Sequence, residues 1–305
     1  MSIQTELTRI KNAKAAIKAA IAGKGVTVPD GTMLDGMAAL IAGIEAGGGD
    51  TSVEDGLIER IITEYSNSRV TKIGKYVFNQ YDTLTKADFP AATSIGSYAF
   101  NYCSKLKTAN FPVATSIGAS AFYACSTLTK ADFPAVTSIG AYAFRSCSIL
   151  STADFPAVTS IGENVFYQCE RLSTANFPVA TSIGAYAFYR CGFATANFPV
   201  ATSIGDDAFE RCSGLTKADF PAVTSIGAYA FYYCSNLNAL ILRSETMCKL
   251  SNKNAFTYTP IKSGTGYIYV PSALLASYQA ATNWSTFSAQ FRAIEDYPDI
   301  CGGNV

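Results

Sequence analysis

The chain has 305 residues, 49% hydrophobic and 15% charged, with 23 basic and 23 acidic side chains and no histidine. The balanced charge excludes the basic surface that binds nucleic acid or an anionic membrane, and no apolar run approaches the roughly 20 residues of a membrane helix. The absence of histidine removes the commonest general base and the commonest metal ligand, so an enzyme is not expected and no cofactor is predicted.

The N-terminal 46 residues carry the apolar spacing of helices. Five apolar side chains fit alternating intervals of four and three, with Lys14 at the position missing between Ile10 and Ile17: Ile3, Leu7, Ile10, Ile17 and Ile21. A second apolar helix follows VTVPDG, so a small helical hairpin is predicted at 1–46. Such a pair buries little surface alone, and it therefore either packs on the following coil or forms a homo-oligomer through 1–46. The glycine-rich segment 47–56 is predicted to be a flexible linker.

Two words in this segment resemble N-terminal pieces of phage tail and fibre proteins: KGVTVPDGT and LDGMAALIAGI. The start, MSIQTELTRIKNAK, has no apolar segment of the kind found in a secretory signal peptide. The resemblance therefore implies cytoplasmic synthesis and display on a phage-like particle, or on a cell surface by a non-classical route. Localisation is otherwise left unknown.

A repeat dominates residues 57–236. The Ile-Gly pair recurs eight times, with six intervals of 22 residues and one of 21. One such unit cannot bury its apolar face alone, whereas stacked units share a core. In Leu106–Phe111 the alternation predicts a strand ended by Pro112, and the following ASAFYAC predicts one helical or 3₁₀ turn that places Phe122 and Cys125 in the core.

The repeated words F-P, T-S-I-G, A-F and C resemble the BspA-like leucine-rich repeats of bacterial surface proteins, the Treponema pallidum class. The resemblance covers about residues 57–245. It implies an α/β repeat solenoid, right-handed, of about eight 22-residue coils with a concave parallel β-sheet. It also implies a role in adhesion or protein binding. The hairpin would precede this solenoid, and 237–305 is predicted to form a C-terminal cap and tail.

Seven cysteines occupy equivalent positions of the repeat: Cys103, Cys125, Cys147, Cys169, Cys191, Cys212 and Cys234. Equivalent positions of a stack project in parallel, which suits neither disulfide geometry nor a metal site with converging ligands. These cysteines are therefore predicted to form a buried structural ladder, with no metal bound. No role is assigned to Cys248 or Cys301.

The outward positions of the predicted strands alternate Lys or Thr with Asp or Asn. Neighbouring carboxylates such as Asp132 and Asp154 could act in acid–base catalysis or hold a cation. The alternative is a solvated polar sheet, which interspersed lysine and asparagine favour. No phosphate-binding loop, nucleophile elbow or metal-spaced cluster occurs, and no catalytic residue is predicted.

Tyrosine and arginine fill outward positions that vary from unit to unit. The candidate binding residues are Tyr98, Tyr123, Tyr142, Arg145, Tyr167, Tyr186, Tyr189, Arg190, Arg211, Tyr229, Tyr232 and Tyr233. Aromatic side chains with interleaved arginine are typical of interface hot spots, and tyrosine faces also suit sugar rings. The alternative is that these rings pack flat between coils. Two functions stay open: a non-enzymatic protein that binds a protein or glycan, and a structural spacer without a ligand.

Overall fold

The computed structural model describes residues 64–302 and the short strand Ser52–Val53. The predicted hairpin at 1–46 lies outside these residues and stays a prediction. Ser52–Val53 lies within the predicted linker and pairs in parallel with Lys72–Ile73, so strand pairing begins before residue 57.

Each coil contributes one strand that directly precedes its Phe-Pro pair, and these strands form the Phe-Pro ladder. Its strands are Glu64–Ser66, Lys86–Asp88, Thr108–Asn110, Lys130–Asp132, Thr152–Asp154, Thr174–Asn176, Thr195–Asn197 and Lys217–Phe220, continued by Ala239–Leu242, Tyr267–Val270 and Phe291–Ala293. Every pairing is parallel, and paired repeat residues are equivalent, as in Thr152 with Thr174. The repeat thus folds as the stacked parallel solenoid that its period predicts.

A second ladder, the Ser-Ile ladder, runs beside the first. Its strands are Ser52–Val53, Lys72–Ile73, Ser94–Ile95, Ser116–Ile117, Ser138–Ile139, Ser160–Ile161, Ser182–Ile183, Ser203–Ile204, Ser225–Ile226 and Lys249–Leu250. The glycine after each isoleucine allows adjacent coils to approach closely. A Cβ at Gly118 would lie 2.4 Å from the Ser97 backbone nitrogen, which is inside van der Waals contact. This close contact between adjacent coils explains why the Ile-Gly pair is the most regular motif of the sequence.

Both ladders contain interruptions. Pairing is lost in the Phe-Pro ladder between Thr108–Asn110 and Lys130–Asp132, and again between Thr174–Asn176 and Thr195–Asn197. The second gap coincides with the unit that is one residue shorter. The Ser-Ile ladder is interrupted once, between Ser138–Ile139 and Ser160–Ile161. The solenoid is therefore held across these points by the remaining ladder and the core.

A continuous stack of phenylalanine rings fills the core. The stack comprises Phe78, Phe100, Phe122, Phe144, Phe166, Phe188, Phe209, Phe231 and Phe256, with successive centroids 4.9–5.5 Å apart. A second phenylalanine column, which includes Phe111 and Phe133, packs against it at steeper angles. Each coil therefore contributes two rings that are shared with its neighbours, which is why one coil alone has no core.

The turn between the ladders differs from the predicted helical or 3₁₀ turn. Phe122 and Cys125 are buried as predicted, but two residues of the turn, Ser120 and Ala124, adopt positive φ angles of 54° and 56°. The same two positions are left-handed in every repeat unit from Tyr76 to Tyr233. Left-handed residues interrupt helical geometry, so this segment is a series of tight turns rather than a helix.

The C-terminal part closes the stack with short helices. Its 3₁₀ helices are Lys253–Phe256, Ser272–Leu274, Trp284–Gln290 and Ile294–Asp296, and its α-helices are Pro260–Ser263, Leu275–Ala280 and Pro298–Cys301. Trp284 is buried against Phe256 and Phe291, as expected for the residue that closes the core. Its Nε1 donates a 2.7 Å hydrogen bond to the Cys248 carbonyl, which gives that cysteine a place in the cap.

The ending CGGNV is predicted to be a loose tail, and only its first two residues, Cys301 and Gly302, are described. Cys301 is buried with Ile241, Tyr269 and Ile294 on the outward side of the last Phe-Pro strands. Arg243 forms a two-point ion pair with Asp219, at 3.0 and 2.8 Å, and also donates to the Cys301 carbonyl. The terminal segment therefore covers the polar strand face at this end of the solenoid.

Candidate functional site

The cysteine column is buried and contains no disulfide. Each Sγ donates a hydrogen bond of 3.0–3.2 Å to a phenylalanine carbonyl of the preceding coil, as Cys147 does to Phe122. All nine cysteines of the chain are buried free thiols. The column therefore satisfies backbone carbonyls that face the core.

Burial makes these thiols weak acids. Removal from water raises the pKa of Cys147 and of Cys212 from 9.0 to about 12. The same cause raises the pKa of Cys125 and of Cys191 well above the ordinary value, with the neighbouring thiols adding to the shift. A cysteine nucleophile or metal ligand requires the thiolate, which this environment disfavours. Within residues 64–302, no group of three Cys, Asp or Glu side chains is arranged to hold a metal ion.

The polar strand face is occupied by contacts among its own side chains. Asn110 Nδ2 donates to Asp88 Oδ1 at 2.7 Å, and Asn176 makes the same bond to Asp154 at 2.8 Å. Lys130 Nζ lies 2.7 Å from Asp132 Oδ2. Asparagine and lysine thus neutralise or bridge the carboxylates that could have formed an acid–base pair or a cation site.

The left-handed turn positions carry many of the candidate tyrosines. Tyr98, Tyr142, Tyr186 and Tyr229 have φ between 53° and 61°, a region that favours glycine and asparagine. Asn164 occupies the equivalent position in one coil. Tyr76 and Tyr229 are 42% and 37% exposed at this position, whereas Ser120 and Asn164 are buried there; at the second left-handed position Tyr102, Tyr233 and Tyr258 are 37–57% exposed.

The central coils bring tyrosines and one arginine into contact. The Tyr167 ring stacks on Tyr189 with centroids 4.3 Å apart and planes 6° apart, and Tyr186 packs at an angle against both. On the other side, Arg145 Cζ lies 4.1 Å from the Tyr167 centroid. Tyr123 and Tyr142 complete the surroundings of this guanidinium, and Tyr102 packs on Tyr123 at 5.2 Å.

A second group lies towards the cap. Tyr233 stacks on Tyr258 at 4.3 Å, and Tyr232 meets both rings edge-on. Tyr232 also contacts Tyr229. Arg211 joins the two groups: its Cζ lies 4.8 Å from the Tyr233 centroid, and its pKa is raised by the nearby Tyr189 and by Glu210.

The connected surface is named here the Tyr–Arg stripe. It comprises Tyr102, Tyr123, Tyr142, Arg145, Tyr167, Tyr186, Tyr189, Arg211, Tyr229, Tyr232, Tyr233 and Tyr258. Its rings pack on one another between coils, which is the alternative to a binding role that the sequence left open. The edges and hydroxyl groups of these rings face solvent. The rings therefore pack as that alternative describes, and binding of a partner by this surface stays a prediction.

The stripe differs in composition from the candidate set. Tyr98 stacks on Tyr76 at 4.9 Å, in a pair of its own. Arg190 forms an ion pair with Glu170 at 3.2 Å and makes no ring contact. Tyr102 and Tyr258 were missed. Tyr102 occupies the position of Tyr233 in an earlier unit, and Tyr258 follows Ala255-Phe256, a remnant of the A-F word that could have identified it.

One acidic patch adjoins the stripe. The Tyr186 hydroxyl is hydrogen-bonded to Asp207, which raises the pKa of that phenol to about 12. Partial burial and the contact with Asp207 raise the pKa of Glu210, whose carboxylate also pairs with Arg211 at 3.2 Å. The carboxylates here are thus engaged by groups of the stripe itself.

Stacked 22-residue coils, two parallel ladders and a shared phenylalanine column define a leucine-rich repeat solenoid. The sequence model for the BspA-type leucine-rich repeat region matches residues 71–192 and 159–273. The chain belongs to this family. A search of curated proteins found no significant match.

Solved structures of leucine-rich repeat proteins are similar to the chain. One from Bacteroides ovatus is 18% identical, with 80% of this chain and 87% of that chain covered and a TM-score of 0.38. A leucine-rich cell surface protein from Faecalibacterium prausnitzii is 22% identical, with 77% and 87% covered and a TM-score of 0.40. The Treponema pallidum leucine-rich repeat protein is 26% identical, with 45% and 74% covered and a TM-score of 0.38.

The helices of residues 64–302 are all short. None of them has the length and apolar character required to cross a bilayer.

Proposed function

We propose that the chain is a non-enzymatic recognition protein that binds a protein or glycan partner through the Tyr–Arg stripe. The observation that supports this most directly is the use of tyrosine at left-handed positions. Tyr142 and Tyr186 occupy positions where the fold itself favours glycine or asparagine, and a bulky residue there costs about 1 kcal/mol. These tyrosines are half-buried and pack across coils, yet Ser120 and Asn164 fill the same position without a ring, so packing does not require tyrosine there.

The stripe has the composition of a binding surface. Tyrosine and arginine dominate the energetically important centres of protein interfaces, because both combine large contact area with polar groups. The rings are held by stacking across coils that are themselves fixed by two ladders. A partner would therefore meet an ordered surface and lose little conformational entropy of the receptor on binding.

The polar strand face is the rival surface of the same solenoid. A groove of about 270 Å³ lies there, between the unpaired strands Thr108–Asn110 and Lys130–Asp132. Its Lys130 is already paired with Asp132. Because the side chains of this face are largely engaged with one another, it offers a partner fewer free groups than the stripe does.

The repeat supplies matched variants for a test. Replacing Tyr142, Tyr167, Tyr186 and Tyr189 by Asn uses the residue that the chain has at equivalent positions, namely Asn164, Asn79 and Asn101. The control carries Asp132→Asn and Asp154→Asn on the strand face, where Asn110 is the natural equivalent. Both variants should keep the solenoid intact.

The full chain and both variants would be tested on a glycan array and against a displayed library of random 16-residue peptides. We expect ligands of the wild type to lose at least 100-fold in affinity with the stripe variant and less than threefold with the strand-face control. Equal binding by the stripe variant would remove the stripe from the function. If neither the glycans nor the peptides bind, the spacer function is favoured instead.

The modular organisation belongs to the same proposal. The helical hairpin at 1–46 would self-associate and present several solenoids, which would raise avidity for a repetitive partner. Sedimentation of the chain with and without residues 1–46 tests this part. A monomer in both cases would contradict it.

A further inference from the structure

Arg145 differs from the other arginines near the stripe. Arg190 and Arg211 each have a carboxylate partner at 3.2 Å, Glu170 and Glu210 respectively. Among residues 64–302, the Arg145 side chain has neither a hydrogen bond nor an ion pair, and its Nε is buried without an acceptor. Arg145 therefore carries a full positive charge that its surroundings leave unpaired.

Three successive coils hold this guanidinium in place. Cζ lies 5.9 Å from the Tyr123 ring in the preceding coil, 5.6 Å from Tyr142 in its own, and 4.1 Å from Tyr167 in the next. Rings favour a cation over their faces but cannot accept the directed hydrogen bonds of its N–H groups. The cage thus orients the arginine and leaves its hydrogen-bonding capacity unused.

The repeat shows that arginine is not required at this position. Equivalent residues are Asn79, Asn101, Tyr123, Tyr167, Tyr189, Glu210 and Tyr232. Arginine with a buried, unpaired N–H is a costly choice among these, because an unmade hydrogen bond leaves the desolvation of the donor uncompensated. A bound anion would form charge-assisted, two-point hydrogen bonds with the outward N–H groups of the guanidinium, which no described residue engages, and would offset part of this cost without reaching the buried Nε.

The surrounding rings decide which kind of partner carries the anion. Tyr167 has Arg145 on one face and Tyr189 stacked on the other, at 4.3 Å. A sugar ring needs an uncovered aromatic face on which to stack, and Tyr167 offers none at the cage. Edges and hydroxyl groups remain, and these suit the side chains and amide groups of a polypeptide. The nearby acids do not compete, since Glu163 accepts from Asn164 and Glu170 pairs with Arg190.

We propose that Arg145 is a specificity-determining residue of the stripe, which binds an aspartate or glutamate carboxylate of a protein partner. This inference rests on the proposed function. The carboxylate would lie against the outward N–H groups of the guanidinium, with the tyrosine edges around it. Partner sequences would accordingly carry an acidic residue at a fixed place.

The test uses the full chain and the displayed 16-residue peptide library. We expect the selected peptides to be enriched in Asp or Glu at one position. A synthetic peptide with that residue changed to its amide should lose about 30-fold in affinity, and Arg145→Asn should lose the same factor. The two changes together should lose little more than either alone, as expected for groups that contact each other. The matched control, Arg190→Asn, should change affinity less than threefold because Glu170 already engages that guanidinium.

Three outcomes would overturn the inference. Selected peptides could lack an acidic position, Arg190→Asn could weaken binding as much as Arg145→Asn, or acidic glycans alone could bind and depend on Arg145. The last result would assign the site to a glycan. If the four-tyrosine variant abolishes binding while Arg145→Asn does not, the stripe stands and only the carboxylate site fails. If the four-tyrosine variant binds normally, the proposed function itself fails.

Discussion

The cysteine column and the Tyr–Arg stripe come from the same turn of each coil. In the turn that ends at Cys147, the thiol is buried and donates to the Phe122 carbonyl, whereas Tyr142 and Arg145 face outward. Inward positions repeat almost without variation, and outward positions vary in nearly every unit. The comparison separates residues that the stack requires from residues that it tolerates.

The cysteine column and the Tyr–Arg stripe also differ in how many of their polar groups and aromatic rings lack a partner within the protein. Every thiol of the column has an acceptor, and every phenylalanine beside it has ring neighbours in adjacent coils. The stripe leaves phenol edges, hydroxyl groups and the Arg145 guanidinium for a partner.

The largest expected effect is on the column, in alkaline solution. Burial raises the pKa of Cys103, Cys147 and Cys212 to about 12 and that of the other four column thiols well above its ordinary value, whereas an unfolded thiol ionises near pH 9.0. The unfolded state then binds fewer protons, so stability is fully present below pH 9 and is lost as pH rises towards 12. At pH 10 each thiol with a pKa of about 12 would contribute a loss on the order of 1 kcal/mol, so the column as a whole would lose several kcal/mol.

We therefore expect the urea midpoint, followed by circular dichroism, to fall steeply between pH 8 and pH 10. Cys147→Ser should reduce that fall by about one seventh, since it removes one titrating thiol and keeps a donor. A thiol reagent should label the column only in unfolded protein at neutral pH. A midpoint that stays constant to pH 10 would contradict the burial of the column.

An intermediate effect is expected from two changes within one turn. Cys147→Ala removes one of the two donors to the Phe122 carbonyl, which keeps the Cys125 N–H, and leaves a small void in the core, so about 1–2 kcal/mol should be lost from the free energy of unfolding. Tyr142→Asn lies five residues away at a φ of 61°, where asparagine is well suited, and should change stability by less than about 0.5 kcal/mol. Denaturant unfolding of both variants measures the contrast, and equal losses would remove the distinction between the two surfaces.

The smallest effect concerns the backbone cost at left-handed positions. Ala124 has φ of 56°, whereas Ala119, which is similarly half-buried, does not have a positive φ. Ala124→Gly should raise the free energy of unfolding by about 0.5–1 kcal/mol, because glycine adopts this conformation without the Cβ penalty. Ala119→Gly should lower it by a similar amount. If both substitutions destabilise equally, the cost attributed to the stripe tyrosines would be absent.

Much of the fold could be predicted from the sequence, because the repeated motifs show which residues occupy equivalent positions in successive coils. The 22-residue period predicts the solenoid, and the unvarying Phe122, Cys125 and Ile117 positions predict the core. The turn conformation was not predictable from apolar spacing. Its positive φ angles fall mostly on tyrosine, serine, glutamine, arginine and alanine, and among the described repeat units only the one with Asn164 has asparagine there.

The candidate site was predicted as a set of outward residues but not as a surface. Tyr258 escaped because the period ends before the cap, and Arg190 was grouped with Arg145 although an ion pair with Glu170 sets it apart. Contacts between residues about 22 positions apart depend on the rotamers and tilt of adjacent coils. Residue type alone does not specify these.

The sequence by itself determined the stack: its period, its buried columns and the separation of inward from outward positions, because identical units can bury their apolar faces only against each other. Tertiary structure alone decided which outward side chains meet, where the two ladders are interrupted and how the terminal segment to Cys301 covers the last strands. It also decided that Arg145 lies among tyrosines from three coils without an acceptor. These outcomes depend on the residues that differ between units, and the contacts of those residues are determined only when adjacent coils pack together.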